Sequence, residues 1–524
     1  MLSCSDFKWP TRLCLLCAVL VLMTVPLVSS FCPPMCHCDN DLLETSCQSS
    51  RLDSVPIQLN PALRTLRLNH NRIASLRQSV TFYTELRWLD LSHNSLHSLG
   101  VMHFQSLQSL EWLNISSNLI STLETQSFSG LYNVAVLDLS GNRLTRLTSG
   151  LFSEMGSLTT LVLSGNKIQS IDADAFDMLR HLHTLRLDDN NIQHVPVASM
   201  TAISNLHNLH LGKNLIEIID DLAFESLSKL RVLRINDNAI SRIEPLAFTN
   251  LVDLEVLDLS FNRLDSGPIK ALQALPALRH LDLSGNIWRQ LPATFLRGLH
   301  QLETLNISYM EYLRWVHPDA LLMGNSTGEV SLTHLIMTNN ALWSRLPVRL
   351  LDDLPHLQRI DLSGNAFETL AKPQRLDQWS LKYLNVAYNP LECNCSLSWL
   401  WQLYHNESSD LVVVNVTCSA PQQSNGRQLS HLKEHELLCT LAMSTGALVI
   451  LLVTLWLVFT AAVVALVLYC RRNKKLVVSS YGTSPILTKH GSPNSGGVHY
   501  YPPARDEYTY HCAGSIKRIP VTVV

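Results

Sequence analysis

Two motifs in this chain have the residue types and spacing for catalysis or metal binding. Gly324-Asn325-Ser326-Thr327-Gly328 spells GxSxG, the pattern in which a serine on a tight strand-to-helix turn becomes a nucleophile. His207 and His210 form an HxxH pair, and His181 and His183 flank Leu182; imidazole nitrogens are common zinc ligands. Neither pattern has the context it needs. The serine lies in "MGNSTGEVS" (323–331), an irregular insertion with no strand leading into it, and Asn325-Ser326-Thr327 reads instead as a glycosylation acceptor. No cysteine or carboxylate cluster accompanies the histidines, and their odd spacing puts the two rings on opposite sides of an ideal strand. HExxH and GxxxxGK[ST] do not occur. The expectation is a non-enzyme with no cofactor and no metal. A net charge of −3 gives no bulk affinity for nucleic acid.

Cysteine and asparagine chemistry is more informative. Eight cysteines form two quartets, Cys32, Cys36, Cys38, Cys47 and Cys393, Cys395, Cys418, Cys439, with none between 48 and 392. Even numbers in an oxidising compartment imply disulfides. Four cysteines allow three pairings, and the adjacent pairs 36/38 and 393/395 suit disulfide geometry badly. Six N-x-S/T acceptors stand outside the apolar runs: Asn114, Asn306, Asn325, Asn394, Asn406 and Asn415. Asn394, between two cysteines, is the least suited to carry a glycan.

Two apolar runs set the compartment. Leu13–Val28 follows Lys8 and Arg12 and ends in Ser29-Ser30, as a secretory signal does; residues 1–30 are assigned to it. Leu441–Cys470 is long enough to span a bilayer, contains no charged side chain, and is followed by Arg471, Arg472, Lys474 and Lys475. Residues 31–440 are thus expected outside the cell and 471–524 inside, in a single-pass type I protein of the plasma membrane.

The element that positions everything outside the cell is a repeat. Asparagine recurs at 71, 94, 118, 142, 166, 190, 214, 238, 262 and 286, skips at Met310, and returns at 340, 365 and 389. Each closes the frame LxxLxLxxN of a leucine-rich repeat. Numbered in chain order, Asn71 closes repeat 1, Asn190 repeat 6, Met310 repeat 11 and Asn389 repeat 14, about 14 in all over residues 61–389. The frame predicts an α/β solenoid, a horseshoe whose short parallel strands form a concave sheet with an arc of roughly 60 Å at about 4.8 Å per strand. The asparagine amide should both donate to and accept from backbone at the strand end. Met310 cannot, so an irregularity is expected there. Phe104, Phe128, Phe152, Phe176, Phe224 and Phe248 recur ten positions after the asparagine and predict a stacked convex spine. An open stack exposes two raw ends, and the cysteine quartets fall at those ends as staples for caps over 31–60 and 390–440.

Between the second and third apolar positions, Asp is the common residue, but repeats 6 to 8 carry Arg186, His210 and Arg234. His183, His207, Lys213 and Arg231 add to them at the rim, and Asp188, Asp189 and Asp237 temper the sum. Asn114 and Asn306 occupy the same strand position in repeats 3 and 11, so glycans there would leave repeats 4 to 10 open. The reading is a basic stripe about 10 Å long that meets an acidic protein partner. The tail lacks apolar periodicity and is read as disordered. Thr522 and Val524 at its end suit a PDZ groove, and Cys470 suits palmitoylation.

"CPPMCHCDNDLLETSC" (32–47) resembles the cysteine-rich N-terminal cap of extracellular leucine-rich repeat proteins, and "NPLECNCSLSWLWQL" (389–403) with Cys418 and Cys439 resembles their C-terminal cap. The resemblance covers residues 32 to about 439. It implies the bonds Cys32–Cys38, Cys36–Cys47, Cys393–Cys418 and Cys395–Cys439. The layout of signal, capped array, single span and short tail resembles cell-surface receptors of the Capricious/Tartan type and the leucine-rich repeat transmembrane neuronal proteins. That implies adhesion or cell–cell recognition through an extracellular or membrane protein ligand, with a scaffold recruited by the tail. The alternative is a co-receptor or auxiliary subunit of another membrane protein. Toll-like receptors share the outer layout but carry a cytoplasmic domain larger than the 54 residues here after Cys470.

Overall fold

The structure, a computed structural model, describes residues 32–77, 79–321, 331–340, 354, 356–373, 380–405, 411–414, 416–437 and 445–477. The chain divides into two units, Met1–Leu441 and Ala442–Val524.

In the first unit each repeat contributes a three-residue strand such as Val232–Arg234 or Val256–Asp258. These strands pair in parallel and in register within a 17-stranded sheet. Alternation along each strand sends one leucine inward and its two neighbours to the open face: Leu233 and Leu257 are wholly buried, while Arg234 is exposed. Each fully buried leucine contributes about 1.5–3 kcal/mol of transfer free energy, and no repeat can realise it without the next.

The asparagines join the stack as expected. Asn94 donates through Nδ2 to the carbonyls of Leu68 (2.9 Å) and Leu91 (3.0 Å), and its Oδ1 accepts from the Ile73 N–H (3.0 Å). The same clasp onto the preceding repeat recurs at Asn118, Asn190, Asn262 and Asn389. The residue before each asparagine is left-handed whatever its type, as at His70, Lys213 and Tyr388 (φ 57°, 52° and 57°). That turn costs on the order of 1 kcal/mol for a non-glycine residue. At Met310 the pattern breaks. Met310 is buried, and its own N–H donates to Asn340 Oδ1 at 2.8 Å, two residues earlier than the donor in repeats 1 to 9; Asn340 repeats the shift, its N–H donating to Asn365 Oδ1 at 2.7 Å. Tyr312 stands exposed at the position where other repeats bury an apolar side chain, such as Leu264, Trp288 or Phe367.

The phenylalanine spine is buried and stacked, with ring centroids 5.7 Å apart for Phe128–Phe152, 6.3 Å for Phe152–Phe176 and 6.2 Å for Phe224–Phe248. Its gaps, filled by Met200 and Leu272, coincide with the short helices Val197–Met200 and Ile269–Leu272, each entered from a proline. Proline presets φ for a first helical turn. The short second ladders, such as Arg146–Leu147 with Ser170–Ile171 and Ile218–Ile219 with Arg242–Ile243, do not continue into those two repeats.

Both ends are lidded. At the first, His37–Asp39 pairs antiparallel with Glu44–Ser46, which extends the parallel sheet onto Thr65–Arg67; Cys32–Cys38 and Cys36–Cys47 are bonded. At the last, Val412–Val413 adds to Tyr383–Leu384, and the helix Ser398–Tyr404 covers the leucines, with Trp399 Nε1 donating to the Leu370 carbonyl at 3.2 Å. Cys393 is bonded to Cys418, and Cys395 is also in a disulfide; Cys439 lies outside the described residues.

The described part of the second unit is the helix Thr445–Val477, of which Ile450–Arg472 is 23 residues long, with a mean hydropathy of 2.8 and no buried share. The helix runs past Cys470 through the basic residues. Cys470 is exposed on it with a free thiol.

Candidate ligand-binding face

The strand face is built from in-register rows. Val162, Arg186, His210, Arg234, Asp258, Asp282 and Asn306 lie opposite one another on successive strands. The common Asp of this row has a structural task that the sequence reading missed. Its Oδ1 accepts from the N–H two residues on: Asp90 from Ser92 at 2.9 Å, Asp138 from Ser140 at 2.8 Å, Asp258 from Ser260 at 3.0 Å, Asp282 from Ser284 at 2.9 Å. Asn114, Asn306 and Asn385 make the same brace. The signal was present in the recurring Asp-x-Ser of "LDLS", since a carboxylate can satisfy a backbone donor two residues ahead. Arg186, His210 and Arg234 cannot make it, because none of them offers a carboxylate or amide oxygen.

The stripe is less basic than a count of charges suggests. Arg186 Nε lies 3.3 Å from Asp188 Oδ2, and His210 Nδ1 lies 3.8 Å from Asp188 Oδ1. Ser164 Oγ donates to the same carboxylate at 3.0 Å. Burial pushes the His210 pKa below the ordinary imidazole value; Asp188 opposes the shift, and Arg234 and Arg186 reinforce it. His210 is therefore neutral at physiological pH, and the fixed positive charge of the row is Arg186 and Arg234. Arg234 is exposed, with no salt bridge among the described residues.

The flanking residues are placed unevenly. Arg231 is 3.8 Å from Glu255. His207 Nδ1 lies 2.7 Å from the Asn205 carbonyl, and its ring meets His183 edge-on at 5.0 Å. His207 precedes the strand Asn208–His210, so strict alternation does not govern its ring. Lys213 is exposed at the left-handed position. Among the described residues no group of three or more His, Cys, Asp or Glu could hold a metal ion.

Of the glycosylation acceptors, Asn114 and Asn306 share the strand row, and Asn306 Nδ2 donates to Asp282 Oδ2 at 2.8 Å. Asn394 Oδ1 instead caps a short helical turn by accepting from Ser396 N at 2.9 Å. Asn325, Asn406, Asn415, Thr522 and Val524 lie outside the described residues. The sequence reading also passed over a neighbouring row of aromatics. Trp88 and Trp112 stack at 3.6 Å on the first repeats, and Arg359 sits 4.0 Å over the Tyr383 ring near the last.

This geometry defines a leucine-rich repeat solenoid with a solvent-facing strand surface. The leucine rich repeat family model matches residues 84–144, 132–192, 180–240, 204–264, 228–287 and 256–313. The repeats are homologous to those of leucine-rich repeat cell-surface proteins. Human Reticulon-4 receptor-like 2 is 36% identical over 94 residues, 18% of this chain and 22% of that protein. Human oligodendrocyte-myelin glycoprotein is 33% identical over 84 residues, covering 16% and 19%. Rat leucine-rich repeat and fibronectin type-III domain-containing protein 4 is 31% identical over 150 residues, covering 27% and 21%. The match thus spans about a fifth of the length of these relatives. Among solved structures, the Leptospira interrogans leucine-rich repeat protein LIC12759 aligns with a TM-score of 0.55 at 23% identity, over 70% of this chain and 94% of that one. TLR13, solved with ssRNA13, aligns with a TM-score of 0.54 at 24% identity, over 72% and 54%. Both show the fold. The relatives support a receptor or adhesion role in general terms.

Proposed function

We propose that this chain is a single-pass type I cell-surface receptor that binds an acidic protein partner on the strand face of repeats 6 to 8 and acts in cell adhesion or cell–cell recognition. The observation that carries the reading is the row Arg186, His210 and Arg234 on three successive strands, in a four-strand run from Val162 that lacks the brace. Asp138 in repeat 4 and Asp258 in repeat 9 secure their own backbone, while repeat 5 between them carries Val162 and makes no brace. Repeats 6 to 8 forgo that hydrogen bond, worth about 1 kcal/mol, and present Arg186, His210 and Arg234 instead. Arg67, Val162 and Ile336 in the same row also lack the brace, so what marks repeats 6 to 8 is that three successive strands replace it with nitrogen-bearing side chains, two of them arginines. Two arginines two strands apart would steer and select a carboxylate-bearing partner more than they would add raw affinity.

In this reading residues 1–30 are a cleaved signal, the apolar run Leu441–Cys470 crosses the plasma membrane, and residues 471–524 are cytoplasmic. The Thr522/Val524 terminus recruits a PDZ scaffold, and Cys470 is a lipidation site beside the basic flank. The test is a cell-aggregation assay with full-length chain, alongside Arg186→Asp/Arg234→Asp. Wild-type transfectants should cluster or bind a partner cell, and the double reversal should lower that binding at least tenfold with surface delivery unchanged. Undiminished binding by the double variant would end the assignment of this face.

A further inference from the structure

Repeats 2 to 4 carry a surface that the proposed partner site does not use. Trp88 and Trp112 open the adjacent strands Trp88–Asp90 and Trp112–Asn114 and lie directly opposite each other in register. Leu89 and Leu113 are wholly buried, so alternation turns both indoles to the open strand face. The rings stack with centroids 3.6 Å apart and 9° between their planes. Each therefore covers one face of the other and keeps one face free. The free face of Trp112 is on the side of the next strand, Val136–Asp138, where the residue in register is the much smaller Val136. A tall indole beside a short valine makes an apolar step in the strand face. Trp88 is 38% exposed, although tryptophan is on average highly buried.

The other end of the same strand indicates what covers the step. Asn114 follows Trp112 by two residues on the same face, about 7 Å along the strand, and Asn114-Ile115-Ser116 is a glycosylation acceptor. Asn114 Oδ1 accepts from the Ser116 N–H at 2.9 Å, whereas Nδ2, the atom that would carry the sugar, donates to no group among the described residues. Asn306, the other acceptor in this row, differs on both counts. Its Nδ2 donates to Asp282 Oδ2 at 2.8 Å, and the residue two before it is Thr304 rather than an aromatic. One side of a sugar ring is a surface of C–H groups, whose slight positive charge is attracted to the negative face of an indole.

We propose that the first sugar of a glycan on Asn114 packs against the free face of Trp112, over Val136, so that the chain's own glycan covers the apolar step across repeats 3 and 4. The proposal rests on the reading that this face lies outside the cell, where the acceptor is modified, and is independent of which partner meets repeats 6 to 8. The test uses the full-length chain, purified from cells in mild detergent, and follows release of glycans from the folded protein by an N-glycosidase, site by site, with mass spectrometry. Release at Asn114 should be several-fold slower in wild type than in Trp112→Ala, with Trp112→Phe in between. Release at the other occupied sites should be the same in all three, and denaturation should abolish the difference at Asn114. Thermal midpoints give an independent arm. Ser116→Ala removes the acceptor but keeps the backbone N–H that Asn114 braces; it should lower the midpoint of wild type and leave that of Trp112→Ala unchanged. An unmodified Asn114 would overturn the acceptor reading and the proposal with it. A modified Asn114 released equally fast from wild type and Trp112→Ala, or a Ser116→Ala loss equal in both backgrounds, would overturn the contact and leave the acceptor reading standing.

Discussion

Leu230–Asn238 and Leu254–Asn262 lie next to each other in the sheet and are interchangeable from behind. Leu230, Leu233 and Ile235 fill the same buried slots as Leu254, Leu257 and Leu259, and the closing asparagines make equivalent hydrogen bonds. From the front they differ completely. One strand ends in an exposed Arg234, the other in a half-buried Asp258 tied to Ser260 through both its N–H and its hydroxyl. A solenoid separates two demands on a sequence: the buried positions answer to the neighbouring repeat and cannot vary, while the strand face is free once its own backbone donors are satisfied.

The largest effects should fall where the two repeats agree. Asn238→Leu and Asn262→Leu should each cost roughly 3 kcal/mol, because each strands a buried N–H and several carbonyls. Thermal denaturation of the two variants should show similar losses, and a clear inequality would break the equivalence. A smaller effect should separate the faces. Asp258→Ala should cost about 1 kcal/mol through its lost brace, whereas Arg234→Ala should stay within about 0.5 kcal/mol, as surface substitutions do. Chemical denaturation that ranked Arg234→Ala as the costlier change would contradict the division.

The smallest effect is in pH dependence, and the two faces should respond with opposite sign. The folded-state pKa of His210 is depressed, so the unfolded chain takes up its proton first on acidification. The stability tied to the neutral ring is present above about 6.5, the unfolded value, and is lost as pH falls through the folded pKa. Asp258 has a raised pKa, chiefly from burial, with Asp282 adding to the rise and the Ser260 hydrogen bonds and Arg234 opposing it. Its contribution is fully present below about 3.9 and is lost as pH rises through the folded value. Thermal midpoints followed from pH 7 to pH 5 should fall less in His210→Gln than in wild type. Asp258→Asn should leave that range nearly unchanged and alter the profile only nearer pH 4.

The spacing of Leu, Asn and Cys made the solenoid and its lids legible, because each of those residues has one task and a fixed interval. The left-handed turn before each asparagine was not legible: His70, Lys213, Phe261 and Gly285 have nothing in common except their place. That Asp188 tempers the basic stripe was legible, but its place between Arg186 and His210, 3.3 and 3.8 Å away, was not. The exposure of Phe261 was overlooked for a related reason. Phe261 looks like a core residue until the backbone shows that its position points outward.

The clasp made by each asparagine has a direction. Asn94 reaches back to Leu68 and Ile73, and Asn71 reaches back to Leu52 in the N-terminal cap. Hook and eye therefore belong to different repeats. Anyone cutting and rejoining such arrays into chimaeras should place the seam on the far side of a hook together with the eye it fills. A seam drawn between them orphans both, although every unit looks intact in an alignment.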